Sequence, residues 1–151
     1  STAQGHSMTL IRPFSPTDKL AVLSIWREAS AYAHPFLTAE ATDQAEAMIR
    51  DHFLDLAETY MAEIAGTPVG FISLIQNEVG GLFLRPAFHG RGIGHALMDQ
   101  AVALKGHLEL DVFVENAIGR RFYNRYGFTA GEERRNSFFD HSDIRMHYGE
   151  Q

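Results

Sequence analysis

The sequence predicts a single-domain mixed α/β fold with elements in the order β-α-α-β-β-β-α-β-α-β-β. Three observations carry that expectation. Apolar segments with a two-residue or continuous pattern stand on both sides of stretches with a helical period, so strands flank helices in one mixed sheet. Two short turns, Gly66-Thr67-Pro68 and Gln76-Asn77-Glu78, join three successive strands, which makes an antiparallel meander. A glycine-rich run, His89-Gly90-Arg91-Gly92-Ile93-Gly94, follows a strand and opens an amphipathic stretch.

Taken in order, residues 8–14 read as the first strand. Ser15-Pro16 suits a helix N-cap followed by proline in the first turn. That helix runs to residue 33, with Leu20, Leu23 and Ile25 toward the core. His34-Pro35-Phe36-Leu37 breaks it, since the residue before proline avoids helical backbone. Thr38 caps a second helix through residue 53, with Ala45, Met48 and Ile49 inward. Residues 59–64 and 69–75 are strands, and 79–85 is the strand leading to the glycine turn. The third helix runs from Gly92 to Lys105-Gly106, with Leu97, Ala101 and Leu104 on one face and Met98 and Val102 beside them. Leu108, Leu110, Val112 and Val114 alternate with polar positions, as in a half-buried strand. Asn116 caps a fourth helix through residue 126, which Gly127 ends. Residues 128–132 and 144–148 form a final antiparallel pair whose turn lies within 133–143.

Composition narrows the function. A chain of 151 residues supports one domain with a sizeable core. No apolar run approaches the roughly 20 residues that span a bilayer, and no secretory h-region opens the chain, so no membrane partner is expected. The sequence has no cysteine, which excludes disulfides, thiolate metal sites and a cysteine nucleophile. A cytoplasmic location fits. The formal net charge of −6 opposes broad nucleic-acid binding, which needs clustered Lys and Arg. Residues 1–7 are small and polar and read as an expression remnant before a native Met8, leaving 8–151 as the domain.

The glycine run has a physical use. Glycine lets the backbone bend sharply and approach a ligand, and a helix start offers unpaired N–H groups with partial positive charge. An ordinary strand-to-helix turn would look the same. The second motif decides between them: Asn116, Phe122, Tyr123, Gly127 and Phe128 stand at the spacing Asn-x-x-Ala-x-x-Phe-Tyr-x-x-x-Gly-Phe, with Gly119 in the alanine place. The first motif fits Gln/Arg-x-x-Gly-x-Gly/Ala, with His89 in place of Gln or Arg. With this pair of motifs, and with the element order fitting from Thr9 to Tyr148, the sequence resembles the GNAT superfamily of N-acetyltransferases. The run from Trp26 through His34 and Phe36-Leu37 resembles small bacterial members of the YjaB type.

That resemblance implies the acyl-CoA N-acyltransferase fold, acetyl-CoA as donor, and a small-molecule or peptide amine as acceptor. It implies that the backbone N–H groups of Gly90, Arg91, Gly92, Ile93, Gly94 and His95 hold the CoA pyrophosphate. His89 alters only the side-chain contact at the head of that cradle. Leu82, Phe83 and Leu84 would pair their backbone with the pantetheine arm as an added strand. Asn116 would contact the pantetheine or cysteamine portion, and Tyr123 would sit beside the sulfur.

The chemistry sets three demands. An alkyl amine of pKa about 10.4 is neutral in only roughly one molecule in 2,500 at pH 7, so a base or a desolvated pocket must remove its proton. Glu78, acting through a water, is the first candidate, and His34 the second, since an unperturbed imidazole titrates near the working pH. The oxyanion needs a preorganised donor, which family analogy places at the Leu84 N–H. The leaving thiolate needs a proton or a hydrogen bond, which Tyr123 offers. Complete transfer from phenol to thiolate in water is uphill by about 2 kcal/mol. No covalent enzyme intermediate is required, so direct attack in a ternary complex is expected.

His34, Phe36, Tyr60, Phe139 and His141 are candidates for the acceptor side, each with a packing role as its alternative. Metal is not expected: His89 and His95 stand six apart, as do His141 and His147, and neither is a ligand-pair spacing. Oligomeric state stays open between monomer and homodimer. Two rivals differ in class. A nicotinamide-binding oxidoreductase would use Gly90-x-Gly92 with Asp111, but residue 95 is His where a third glycine belongs, and Arg85 to His89 separate strand from turn. A non-catalytic acyl-CoA sensor on the same fold is opposed only by the presence of Tyr123 and Asn116.

Overall fold

A computed structural model describes residues 9–150 of the chain; Met8 and the expected remnant at 1–7 lie outside the described residues. The strands are β1 (Thr9–Pro13), β2 (Glu58–Ile64), β3 (Thr67–Ile75), β4 (Glu78–Leu84), β5 (Leu108–Phe113), β6 (Thr129–Asn136) and β7 (His141–Tyr148). They form one seven-stranded sheet in the order β1-β2-β3-β4-β5-β7-β6. Every neighbouring pair is antiparallel except β4 and β5, which are parallel. The mixed α/β sheet and the order of strands and main helices are those the sequence predicts.

Central β3 is buried from Val69 to Leu74 on both faces, which explains its run of apolar residues without a polar alternation. Helices α1 (Lys19–Ala33) and α2 (Ala39–Met48) cover one face, packing Val22, Ile25 and Trp26 on Met61 and Phe71. Helix α3 (Ile93–Lys105) covers the other with Leu97, Met98 and Ala101 against Ala62, Ile72 and Leu74. Helix α4 (Ala117–Tyr126) joins that second core through Phe122, Tyr123 and Tyr126.

The chain departs from the sequence reading at four places. Pro16–Asp18 forms a 3-10 turn with a Ser15–Asp18 capping box, and α1 starts only after it. The buried stripe is therefore Val22, Ile25, Trp26 and Ala29, and Leu20, two residues before Val22, points to solvent at 82% exposure. The second helix passes into a π turn at Ile49–Phe53 before ending at Leu54–Leu56. Met48, the last residue before that turn, is half-exposed, while Ala45 before it and Leu54 after it are buried. Leu104 lies on the buried side of α3 by angle but one turn beyond Ala101, the last buried residue, and is half-exposed. The final hairpin is longer than expected, since β6 and β7 pair out to Asn136 and His141, with the turn at 137–140. Its charged sequence reads as loop because β6 is the sheet edge, where exposed charges discourage pairing with other chains.

Candidate active site

Parallel β4 and β5 meet in register at Glu78 and Glu109, where the Glu109 N–H donates to the Asn77 carbonyl at 2.9 Å. Beyond that point two cavities border β4, one of them walled by both strands. Arg145 of β7 holds the junction closed at its base. Its guanidinium donates to both carboxylate oxygens of Glu78 at 2.7 Å, to Glu109 at 2.7 Å and to Asp111 at 3.1 Å. On the other edge of β4, the Arg85 N–H donates to the Val69 carbonyl at 2.9 Å. Amides alternate in direction along a strand, so the N–H groups of Leu82 and Leu84 face the cleft.

One cavity, of about 360 Å³, runs from Leu82 and Leu84 to the glycine turn. Gly90 and Gly92 both hold φ of +79°, a left-handed backbone that glycine adopts without strain. Gly92 is the N-cap of α3, and Ile93 and Gly94 line the same cavity. A Cβ built at Gly90 or Gly92 meets nothing within 4 Å, so these residues border open space in front of the helix start. Free N–H groups, the positive helix end and room for a bulky anion are together the form of a phosphate cradle. The residues fit the CoA diphosphate.

The other cavity, of about 400 Å³, is walled by aromatic rings, among them Trp26, Phe53, Phe71, Phe113 and Phe139. Three carboxylates line it, Glu78, Asp111 and Asp143. Asp143 accepts from the Asn136 amide at 2.9 Å, and burial raises its carboxyl above the usual carboxylate range.

Five residues line both cavities: His34, Leu82, Phe83, Asn116 and Tyr123. Asn116 caps α4, its Oδ1 accepting from the Gly119 N–H at 2.8 Å. A Cβ at position 119 would stand 2.5 Å from Asn116 Nδ2, so glycine there gives the carboxamide room to fold back. With Oδ1 fixed, Nδ2 donates to His34 Nε2 at 3.2 Å, which leaves the proton on Nδ1, 3.2 Å from Ser30 Oγ. Burial pushes the His34 imidazole down to about 4. The expectation that His34 titrates near the working pH is thereby corrected: it is neutral at pH 7, and its acceptor nitrogen is engaged. Tyr123 packs on Phe122 and Phe128, each with ring centroids 5.5 Å away. Burial pushes its phenol up.

The other expected site residues are not all brought together. Phe139 lines the acceptor-side cavity. Phe36 and His141 stand one layer back, with ring centroids 5.4 and 6.3 Å from Phe113. Tyr60 lines neither cavity, because its β2 position turns its hydroxyl to Glu58 at 2.5 Å. The Arg91 side chain lies over the Phe88 ring and does not line the cradle. His89 and His95 line it, His89 against the Tyr32 ring and His95 beside Asp99 at 3.2 Å. Asp143, Asn136 and the π turn were missed. Asp143 and Asn136 fell in a segment read as turn, and no sequence signal separates a π turn from an ordinary helix end.

The family model for the acetyltransferase (GNAT) family matches residues 21–128. The chain belongs to the GNAT acetyltransferase family.

Two curated relatives come from Escherichia coli strain K12. The peptidyl-lysine N-acetyltransferase YiaC is 31% identical over 79% of this chain and 82% of its own length. The peptidyl-lysine N-acetyltransferase YjaB is 31% identical over 71% of this chain and 73% of its own. The solution structure of apo YjaB superimposes with a TM-score of 0.85 at 25% identity, covering 95% of this chain and 99% of that one. The PaiA N-acetyltransferase of Thermoplasma acidophilum, solved in complex with coenzyme A, shares the fold with a TM-score of 0.80 at 21% identity, covering 95% and 99%. This GNAT chain is an N-acetyltransferase of the acyl-CoA-using kind, and no described helix is long and apolar enough to cross a membrane.

Proposed function

We propose that the protein moves an acetyl group from acetyl-CoA to a primary amine by direct attack in a ternary complex, and that the amine ends an unbranched alkyl chain, as in a peptidyl lysine. The observation carrying this reading is the junction at which His34, Leu82, Phe83, Asn116 and Tyr123 serve both cavities. A donor laid along one cavity and an acceptor along the other would meet there and nowhere else. The peptidyl-lysine activity in the names of YiaC and YjaB supports the acceptor class. So does the aromatic wall, which suits a methylene stem and attracts its cationic head.

Acetyl-CoA supplies an activated acetyl thioester when bound. The turn at Gly90, Gly92, Ile93 and Gly94 holds its diphosphate through backbone N–H groups, and Leu82 and Phe83 align its arm. The Leu84 N–H, aimed into the cleft, donates to the carbonyl oxygen as charge builds there. Asp143 draws in the ammonium. Glu78 and Asp111 are tied to Arg145, whereas Asp143 has only a neutral amide partner and is the carboxylate with attraction to spare. The apolar walls then lower the amine pKa, so that its first proton passes to solvent before attack; as the C–N bond forms and the C–S bond breaks, the second proton leaves nitrogen and reaches the departing sulfur through water. Tyr123 holds its proton firmly, so it serves as hydrogen-bond donor to the departing sulfur. Neutral His34 fixes the Asn116 carboxamide and is a positioning residue, not the base.

Thiol release from acetyl-CoA with lysine peptides, blocked peptides and short alkylamines tests this reading. Turnover with free lysine side chains, and initial-rate lines that intersect, are the expected results. Tight acetyl-CoA binding without turnover on any amine would instead make the chain an acyl-CoA sensor.

A further inference from the structure

CoA carries charge in two places, the diphosphate and the 3′-phosphate of its ribose. A phosphomonoester alone bears about −1.5 to −2 at pH 7. The glycine turn serves the first group. The second lies outside that turn, and the net charge of −6 repels a polyanion at long range. Local cations are needed. Arg121 and Arg125 are the only Lys or Arg side chains among the described residues lining the coenzyme cavity.

Their setting is unusual for this protein. Arg12, Arg27, Arg50, Arg85, Arg135 and Arg145 each grip a carboxylate. Arg121 and Arg125 are exposed, and no ion pair or side-chain hydrogen bond engages either among the described residues. They stand four residues apart on α4 and so share a face, where like charges repel. Arg125, in the last turn, gains from the negative helix end. Arg121, in the middle of α4, has no such compensation. The pair also lies beside the diphosphate cradle: His95 of α3 and Tyr126 of α4 have ring centroids 4.8 Å apart, and the Tyr126 hydroxyl donates to Asp99 of α3 at 2.6 Å. These contacts bring the first turns of α3 against the last turns of α4.

We propose that Arg121 and Arg125 form a clamp for the 3′-phosphate of CoA, so that the enzyme selects CoA over its 3′-dephospho form. The inference rests on the coenzyme placement proposed above. Planar guanidinium groups suit it, since each offers parallel N–H donors to a phosphate.

Calorimetric titration of the full chain with CoA and with 3′-dephospho-CoA tests it. The wild type is expected to bind CoA at least tenfold more tightly. The R121A/R125A double variant is expected to bind both ligands alike, at the wild-type affinity for the dephospho form, and R121K/R125K to keep part of the preference. Equal wild-type affinities would overturn the clamp and leave the coenzyme placement standing, as would equal losses for both ligands in the double variant. Failure of the wild type to bind either ligand would overturn the placement and the clamp together.

Discussion

The coenzyme cavity takes most of its wall from two short stretches of chain, 82–95 and 116–125, whereas the acceptor cavity draws on α1, α2, the π turn, strands β3, β4 and β5 and the β6–β7 hairpin. The first offers mainly backbone: amides of a left-handed turn, a helix start and an open strand edge. The second offers side chains, brought from distant parts of the sequence. Backbone donors need a fixed local conformation, so their residues must be contiguous. An aromatic wall needs only volume and polarity at the right place, so its members can come from anywhere. A single substitution should therefore disable one arm without the other, unless it falls on the junction.

The largest effect is expected where the backbone cradle is spoiled. Gly92→Glu forces a side chain into a left-handed position, at a cost of roughly 1–2 kcal/mol, and aims a negative charge at the diphosphate. Acetyl-CoA affinity should fall by at least about 100-fold with circular dichroism unchanged; calorimetry that finds normal affinity would refute the cradle. At the junction, Tyr123→Phe should lower kcat by about 100-fold, the size of one lost hydrogen-bond donor to developing charge, while the Kd for acetyl-CoA holds. A variant as fast as wild type would remove Tyr123 from the chemistry.

A smaller and one-sided effect is expected in the acceptor arm. Asp143→Asn should raise the amine KM about tenfold, about the 1.4 kcal/mol of one charge-assisted contact, with coenzyme binding untouched. An unchanged KM would remove Asp143 from amine binding. The smallest effect concerns His34. Its folded pKa of about 4 lies below the model-compound value of 6.5. The unfolded chain therefore binds more protons between those values, and wild-type stability should fall as pH drops from 6.5 toward 4. His34→Gln should flatten that part of the Tm profile and lower kcat at pH 7 without shifting its pH optimum. A shift in the optimum would restore His34 as a base.

The turn and the cap that border the glycine cavity are legible in the sequence because their signals are local. Gly90, Gly92 and Gly94 mark the turn, Asn116 marks the cap, and Phe122 and Tyr123 follow at fixed spacing. Reading the acceptor arm from sequence fared worse. Phe139 lines the aromatic cavity, whereas Tyr60, equally aromatic, lines neither cavity and turns its hydroxyl to Glu58. Asp143 escaped because a carboxylate in a charged edge hairpin looks like a solvated one until the fold turns it inward. Glu78 closes the turn read from the sequence and is the first residue of β4, yet its partner, Arg145, stands 67 residues away and no pattern announces it.

By itself, the order of residues determined the mixed sheet, the helix start at the glycine turn and the left-handed backbone there, since each follows from period, caps and the freedom of glycine over a few neighbouring positions. Tertiary structure alone decided which charges remain available. Whether a carboxylate or a guanidinium is neutralised depends on what a distant strand or helix brings within 3 Å of it. That is why Glu78 is held by a guanidinium, Asp143 has a neutral amide on its carboxylate, and Arg121 and Arg125 face the coenzyme cavity without a partner among the described residues.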